Sequence, residues 1–122
     1  MNKHILTIDD EAVILNLLRE FLEEEGYHVS RASTPREAKA AVAAQSPDLI
    51  ITDLQLANSD GLELVDSIRE TLPDVPVILL TGVWFDEQTI DEKLSHKISA
   101  YHNKTAPLAE LLQTVRRLLP LD

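Results

Sequence analysis

Along this chain the hydrophobic period alternates, at regular intervals, between short apolar runs and stripes that recur every three to four residues. Few architectures accommodate such a pattern. His4 to Ile8 reads as a strand. From Glu11 the period becomes helical, with Ile14, Leu18, Phe21 and Leu22 on one face, and Gly26 falls where a helix C-terminus favours a positive φ. Tyr27 to Arg31 is a second, short strand. Thr34-Pro35-Arg36-Glu37 is a capping box with Pro at the first helical position, opening a helix through about Ala44. Leu49 to Asp53 is a buried strand, and the turn Asn58-Ser59-Asp60-Gly61 leads into a helix with Leu64, Val65, Ile68 and Leu72 inward. Val75 to Thr81 is apolar without alternation, as in the middle of a parallel sheet covered on both faces. Asp86 to about Leu94 predicts an acidic helix, and Ile98 to His102 a fifth strand. After Pro107 comes the clearest amphipathic stripe, Leu108, Leu111, Leu112, Val115, Leu118 and Leu119.

Five strand–helix units with no linker or repeat predict one α/β domain over residues 1–122, a doubly wound (βα)5 parallel sheet with right-handed crossovers. Ligands of such sheets bind beyond the carboxyl ends of the strands, where the strand order reverses. A net charge of −10 repels phosphate backbones and argues against direct nucleic-acid binding by this segment. The chain has no Cys, hence no disulfide, thiolate nucleophile or Cys-based zinc site. Asp9, Asp10 and Glu11 cut the first apolar stretch short of a signal-peptide core, and the run Val75 to Phe85 is about half of what spans a bilayer. A cytoplasmic location away from membranes is the expectation.

The strand ends carry the chemistry. The first closes on Asp9-Asp10, the third on Asp53, the fourth on Thr81, and the fifth is followed by Lys104. Parallel strands bring these ends to one edge. Each residue has a plainer role on its own: a helix cap for Asp9-Asp10, a β-former for Thr81, a solvated charge for Lys104. Their joint occurrence at one edge does not. Carboxylates about 4–6 Å apart repel by a few kcal/mol per pair at an effective dielectric of about 20, so the cluster demands a cation. Oxygen ligands without His or Cys favour Mg²⁺, with Mn²⁺ the alternative, over zinc. A hydroxyl and an ammonium facing that cluster are what a transferring phosphoryl group needs.

These residues carry a resemblance. Ile5 through Glu11, Asp53 followed by Asp60-Gly61, Leu80-Thr81-Gly82, and Tyr101 three residues before Lys104 form an ordered set that resembles the receiver domain of two-component response regulators from end to end. The resemblance implies a flavodoxin-like sheet of order 2-1-3-4-5 and a phosphorylation-activated signalling switch. Asp53 would accept a phosphoryl group from a phosphohistidine of a sensor histidine kinase or histidine phosphotransfer protein. Asp9, Asp10, the Asp53 carboxylate and the Gln55 backbone carbonyl would hold Mg²⁺, Asp10 directly and Asp9 directly or through water. Thr81 and Lys104 would bind phosphoryl oxygens, and Tyr101 would turn inward as Thr81 is drawn to the phosphoryl group. The output would be a changed surface around the predicted fourth helix, fifth strand and last helix, read by a downstream target or an attached output domain. The family's self-catalysed phosphotransfer and autodephosphorylation do not make it an enzyme in the ordinary sense.

Three departures from the family pattern bear on this. Thr105 stands where the family usually has a Pro after a cis peptide, so either that strain is retained or the Lys104 loop relaxes. Ala57 replaces a usual Pro, and Lys97-Ile98 replaces a common Gly-Ala pair. Rival functions fit less well. A Mg²⁺-dependent aspartyl-phosphate phosphatase would pair two Asp two apart, whereas Asp53 is followed by Gln55. A phosphoryl relay or sink without output switching differs only in its readout. A non-phosphorylatable docking module requires loss of a reacting residue, and a nucleotide-binding flavodoxin-like role requires a phosphate-cradling loop after the first strand. His4, His28, His96 and His102 have no partners at metal-ligand spacing and read as structural or surface groups; Trp84 reads as loop packing and Arg116-Arg117 as a solvated face.

Overall fold

Strand and helix alternate as the period demands in the computed structural model, which describes residues 3–53, 55–56, 59–82 and 98–121, the side chains of residues 55–56, 59–62 and 81 excepted. In chain order the elements are β1 (His4–Ile8), α1 (Ala12–Glu24), β2 (His28–Ala32), α2 (Pro35–Ala44), β3 (Leu49–Thr52), β4 (Gln55–Leu56), β5 (Ser59–Asp60), α3 (Gly61–Thr71), β6 (Val77–Thr81), β7 (Ala100–Asn103) and α4 (Leu108–Leu118). Five strands form one sheet of order β2-β1-β3-β6-β7, every neighbouring pair parallel. With the small antiparallel pair β4–β5 set aside, this is the expected 2-1-3-4-5 order. Ile8 lies opposite Thr52, and Thr81 opposite Asn103, so the strands finish along a common edge.

Side chains that alternate across the strands supply two cores. Ile5, Val29, Leu49, Ile51, Ile78 and Leu80 pack with Leu18 and Leu22 of α1 and with Leu111 and Val115 of α4. Leu6, Ile8, Ile50 and Val77 pack with Ala38 and Val42 of α2 and with Leu64, Val65 and Ile68 of α3. Both faces of β1 and β3 are buried, which is why their sequences show no polar alternation. The ends of α2 follow from its sequence: Pro35 lies in the first turn, and the Thr34 hydroxyl accepts the Glu37 N–H at 3.1 Å. Glu37 returns its bond one residue earlier than a capping box requires, accepting the Ser33 N–H at 3.0 Å.

Several boundaries differ from the expectations, each for a local reason. Tyr27 is buried but precedes β2; its hydroxyl donates to the Leu119 carbonyl at 2.8 Å, tying the end of α4 to the α1–β2 turn. Arg116 joins the same tie through Glu25 at 2.6 Å, rather than standing alone in solvent. Gly26 has φ +103°, as its place after α1 predicts, and a Cβ there would come within 3.2 Å of Leu121 Cδ1. Strand β6 starts at Val77 because Pro76 has no N–H to give, although its carbonyl accepts from Ile50 at 3.0 Å. The fifth sheet strand begins two residues later than expected, at Ala100. The turn expected at Asn58 to Gly61 is in part the short pairing of Gln55–Leu56 with Ser59–Asp60. On α1 the buried residues are Leu15, Leu18 and Leu22, with Ile14 and Phe21 partly covered. The helix expected over Asp86 to Leu94, Trp84, Ala57, His96 and Lys97 lie outside the described residues.

His4 is a structural histidine at the amino edge of the sheet, 2% exposed, with Nε2 2.6 Å from the Ser30 hydroxyl. Its Nδ1 is buried without a well-formed hydrogen bond, and its ring centroid lies 5.0 Å from that of His28. Burial lowers the His4 pKa below 6.5, outweighing the nearby Ser46 backbone, which favours the charged ring. The unfolded chain therefore takes up this proton first. The stabilising contribution is complete above about pH 6.5 and is lost as pH falls from there through the folded pKa. Thermal unfolding between pH 7.5 and pH 5.5 should show a falling midpoint, and His4→Gln should flatten that fall relative to wild type. Parallel pH profiles would show that His4 stays neutral for no energetic reason.

Candidate functional site

The sheet ladder runs one residue past β1 and β3, and those two residues are carboxylates. The Asp9 N–H donates to the Ala32 carbonyl at 3.1 Å, and the Asp53 N–H to the Ile8 carbonyl at 3.0 Å. Both side chains are thereby fixed side by side, 2% and 5% exposed, while Asp10 next to them is exposed. One carboxylate oxygen from each of Asp9, Asp10 and Asp53 lies within 4.8 Å of the others. Lys104 reaches this cluster from the loop after β7. Its Nζ is 2.9 Å from Asp9 Oδ2, 2.9 Å from Asp53 Oδ2 and 3.6 Å from Glu11 Oε2. The second Asp9 oxygen accepts the Glu11 N–H at 2.9 Å.

Charge here is balanced unevenly. Burial works against the Lys104 ammonium, but hydrogen bonds to Asp53 and Asp9 outweigh it and hold the proton well above the usual lysine range. For Asp9 the order reverses. Burial pushes its carboxyl up from 3.8, and the Glu11 N–H and Lys104 only partly offset that. One ammonium shared by several carboxylates satisfies itself more fully than it satisfies any one of them. The donor set left over is all oxygen, crowded and negative, which fits a hard divalent cation such as Mg²⁺ and not a soft metal.

The structure thus brings together Asp9, Asp10, Asp53 and Lys104 as expected. Thr81 closes β6 at the same edge, opposite Asn103, and the contacts of its hydroxyl lie outside the described part of the structure. Gln55 opens β4, two residues beyond Asp53. Tyr101 stands on β7 opposite Leu79, with 40% of its surface exposed. The described residues contain no cis peptide bond, so of the two alternatives at Lys104-Thr105 the chain takes the relaxed loop. Two neighbours of the site were missed from sequence. Glu11 contributes through its backbone N–H to Asp9 and its carboxylate to Lys104. Asn103 folds the loop that carries Lys104; an Asn two residues before a Thr at a strand end is the signal that could have shown it.

Comparisons with known proteins agree with this geometry. Residues 5–116 match the response regulator receiver domain model, and the chain belongs to that family. It is 35% identical over 109 residues to the alkaline phosphatase synthesis transcriptional regulatory protein PhoP of Bacillus subtilis, covering 89% of this chain and 44% of PhoP. It is 33% identical over 122 residues to response regulator MprA of Mycolicibacterium vanbaalenii, covering 98% of this chain and 51% of MprA. The chain therefore spans about half the length of these curated relatives. Among solved structures, chemotaxis protein CheY4 of Vibrio cholerae superposes with a TM-score of 0.89 at 26% identity, covering 98% of this chain and all of that one. Response regulator TrrA of Thermotoga maritima, solved in complex with Mg²⁺-BeF, superposes with a TM-score of 0.83 at 35% identity over 96% of this chain and 99% of TrrA. No described helix is long and apolar enough to cross a membrane.

A divalent cation held by Asp9, Asp10 and Asp53 would compete with Lys104 for the same carboxylates. The Lys104 side chain is 12% exposed, and removing one partner from a buried pair costs about 3–5 kcal/mol. Lys104→Ala should lower stability by about that much without Mg²⁺ in urea melts, and Mg²⁺ should restore more stability to the variant than to wild type. Equal Mg²⁺ stabilisation in both proteins would show that lysine and cation do not share ligands.

Proposed function

We propose that residues 1–122 form one receiver domain that takes a phosphoryl group onto Asp53 from a phosphohistidine of a sensor histidine kinase or histidine phosphotransfer protein. The observation that carries this reading is the Lys104 ammonium held 2.9 Å from both Asp9 and Asp53, with Asp10 beside them, at the carboxyl edge of a parallel sheet. In the transfer an Asp53 oxygen forms a bond to phosphorus as the phosphorus–nitrogen bond breaks, its electron pair returning to the imidazole ring. Asp9, Asp10, Asp53 and the Gln55 carbonyl are the residues that would hold Mg²⁺, with Mn²⁺ as the alternative; bound there, the cation supplies charge neutralisation of the phosphoryl oxygens. Lys104 exchanges a carboxylate partner for a phosphoryl oxygen, and Thr81 donates its hydroxyl to another.

The switch follows from that exchange. Lys104 and Thr81 move toward Asp53 together, Tyr101 leaves its exposed position and packs inward, and the face formed by β7 and α4 changes shape. A downstream target or an attached output domain reads that face. With a charge of −10 the segment itself is not the nucleic-acid contact. Its chemistry serves signalling in the cytoplasm rather than turnover of a substrate.

Acetyl phosphate with Mg²⁺ should add one phosphoryl mass, labile to hydroxylamine, and Asp53→Asn should abolish it because an amide is not a nucleophile. An adduct retained in that variant would remove Asp53 from the reaction. Under beryllofluoride and Mg²⁺ the Tyr101 ring should lose solvent exposure by NMR. A beryllofluoride-bound protein with Tyr101 still exposed would be a phosphoryl relay or sink rather than a switch.

A further inference from the structure

A lysine carries a flexible four-carbon stem with about 2 kcal/mol of rotamer entropy, so its ammonium is only as well placed as its backbone. Lys104 lies one residue beyond the last paired position of β7, where Asn103 opposes Thr81. The ladder therefore does not fix it. What does fix it is the residue before it. Asn103 Oδ1 accepts the Thr105 N–H at 2.9 Å and the Thr105 hydroxyl at 2.7 Å, spanning Lys104 from one side to the other. The Asn103 carbonyl accepts the Ala106 N–H at 3.0 Å and closes a four-residue turn with Lys104 and Thr105 at its centre.

We infer that Asn103 is a positioning residue for phosphoryl transfer, whose paired bonds to Thr105 hold the Lys104 backbone so that Nζ reaches the Asp9–Asp53 cleft. The inference rests on the reading of Lys104 as a partner of the phosphoryl group. Its consequence has two opposite signs. A loosened turn weakens the contact of Lys104 with a phosphoryl oxygen, and it also weakens the competition of Lys104 with a cation for Asp9 and Asp53. General damage to the site would instead weaken both ligands together.

The test uses the 122-residue chain with Asn103→Ala, Thr105→Val and Thr105→Ser. Dissociation constants are measured for Mg²⁺ alone and for beryllofluoride at saturating Mg²⁺. Asn103→Ala and Thr105→Val should bind beryllofluoride about three- to tenfold more weakly, the worth of one or two hydrogen bonds, while Mg²⁺ binds as tightly as in wild type or tighter. Thr105→Ser keeps both donors and should match wild type. Without metal, the Thr105 amide should exchange faster in Asn103→Ala. In a Lys104→Ala background, adding Asn103→Ala should cause no further loss, because the residue acts through the lysine. Should Asn103→Ala fail to fold, Thr105→Val carries the comparison without touching β7. Parallel weakening of both ligands, unchanged beryllofluoride affinity, or a full effect that persists without Lys104 would overturn the inference. If wild type and Lys104→Ala bind beryllofluoride alike, the role of Lys104 itself fails, and that comparison involves no change at Asn103.

Discussion

An ammonium wedged between carboxylates at the ends of two adjacent parallel strands is the contact on which the site is built. Asp9 and Asp53 are almost without solvent, and two such charges side by side repel by several kcal/mol unless a positive charge intervenes. The sheet holds them there regardless, because each donates its backbone N–H into the ladder. Lys104 comes from the loop that follows the far strand of the same sheet, 51 residues on from Asp53. No part of this arrangement is local in sequence. It exists only when β1, β3 and β7 are aligned, so the site cannot assemble before the sheet does.

The resting protein thus contains a provisional answer to its own electrostatic problem. Both Asp9 oxygens have partners, in the Glu11 N–H and the Lys104 ammonium, yet burial still raises its carboxyl above the usual range, so a second positive charge beside it would favour the ionised form. A divalent cation would bring two positive charges to this cleft, and conversion of the Asp53 carboxylate to an acyl phosphate would add about one negative charge. On the proposed reading, the two together would let the lysine change partners without leaving either anion bare, whereas either alone would leave a group poorly matched. Coupling between the two ligands would then follow from the charge balance alone.

Much of this was legible in the residues because two periods of different length are hard to mistake for each other. The unalternating Ile50-Ile51 and Val77 to Leu80 segments specify strands buried on both faces, and the carboxylates that end the first and third strands then fall on one edge by geometry. What escaped was carried by weaker signals. The pairing of Gln55–Leu56 with Ser59–Asp60 spans too few residues to show a period. On α1 the apolar residues crowd so densely that Leu15 and Ile14 cannot be ranked without knowing how the helix is rotated against the sheet. The roles of Glu11 and Asn103 arise from backbone N–H groups and a side-chain turn, which leave little trace in hydropathy.

The tie between Tyr27 and Leu119 has a mechanical consequence. Helix α4 runs antiparallel to the strands, its first turn adjoining the loop of Lys104 and its last turn bound to the amino edge of the sheet through Leu119 and Arg116. Eleven residues of helix, about 16 Å, separate the two ends. A rod pinned at one end and pushed at the other does not slide; it pivots. The anchored end would scarcely travel, while side chains near Pro107 would sweep the widest arc. Any partner that senses the state of Asp53 through this helix would do best to grip it near that moving end, where an ångström at the lysine becomes an ångström at the surface.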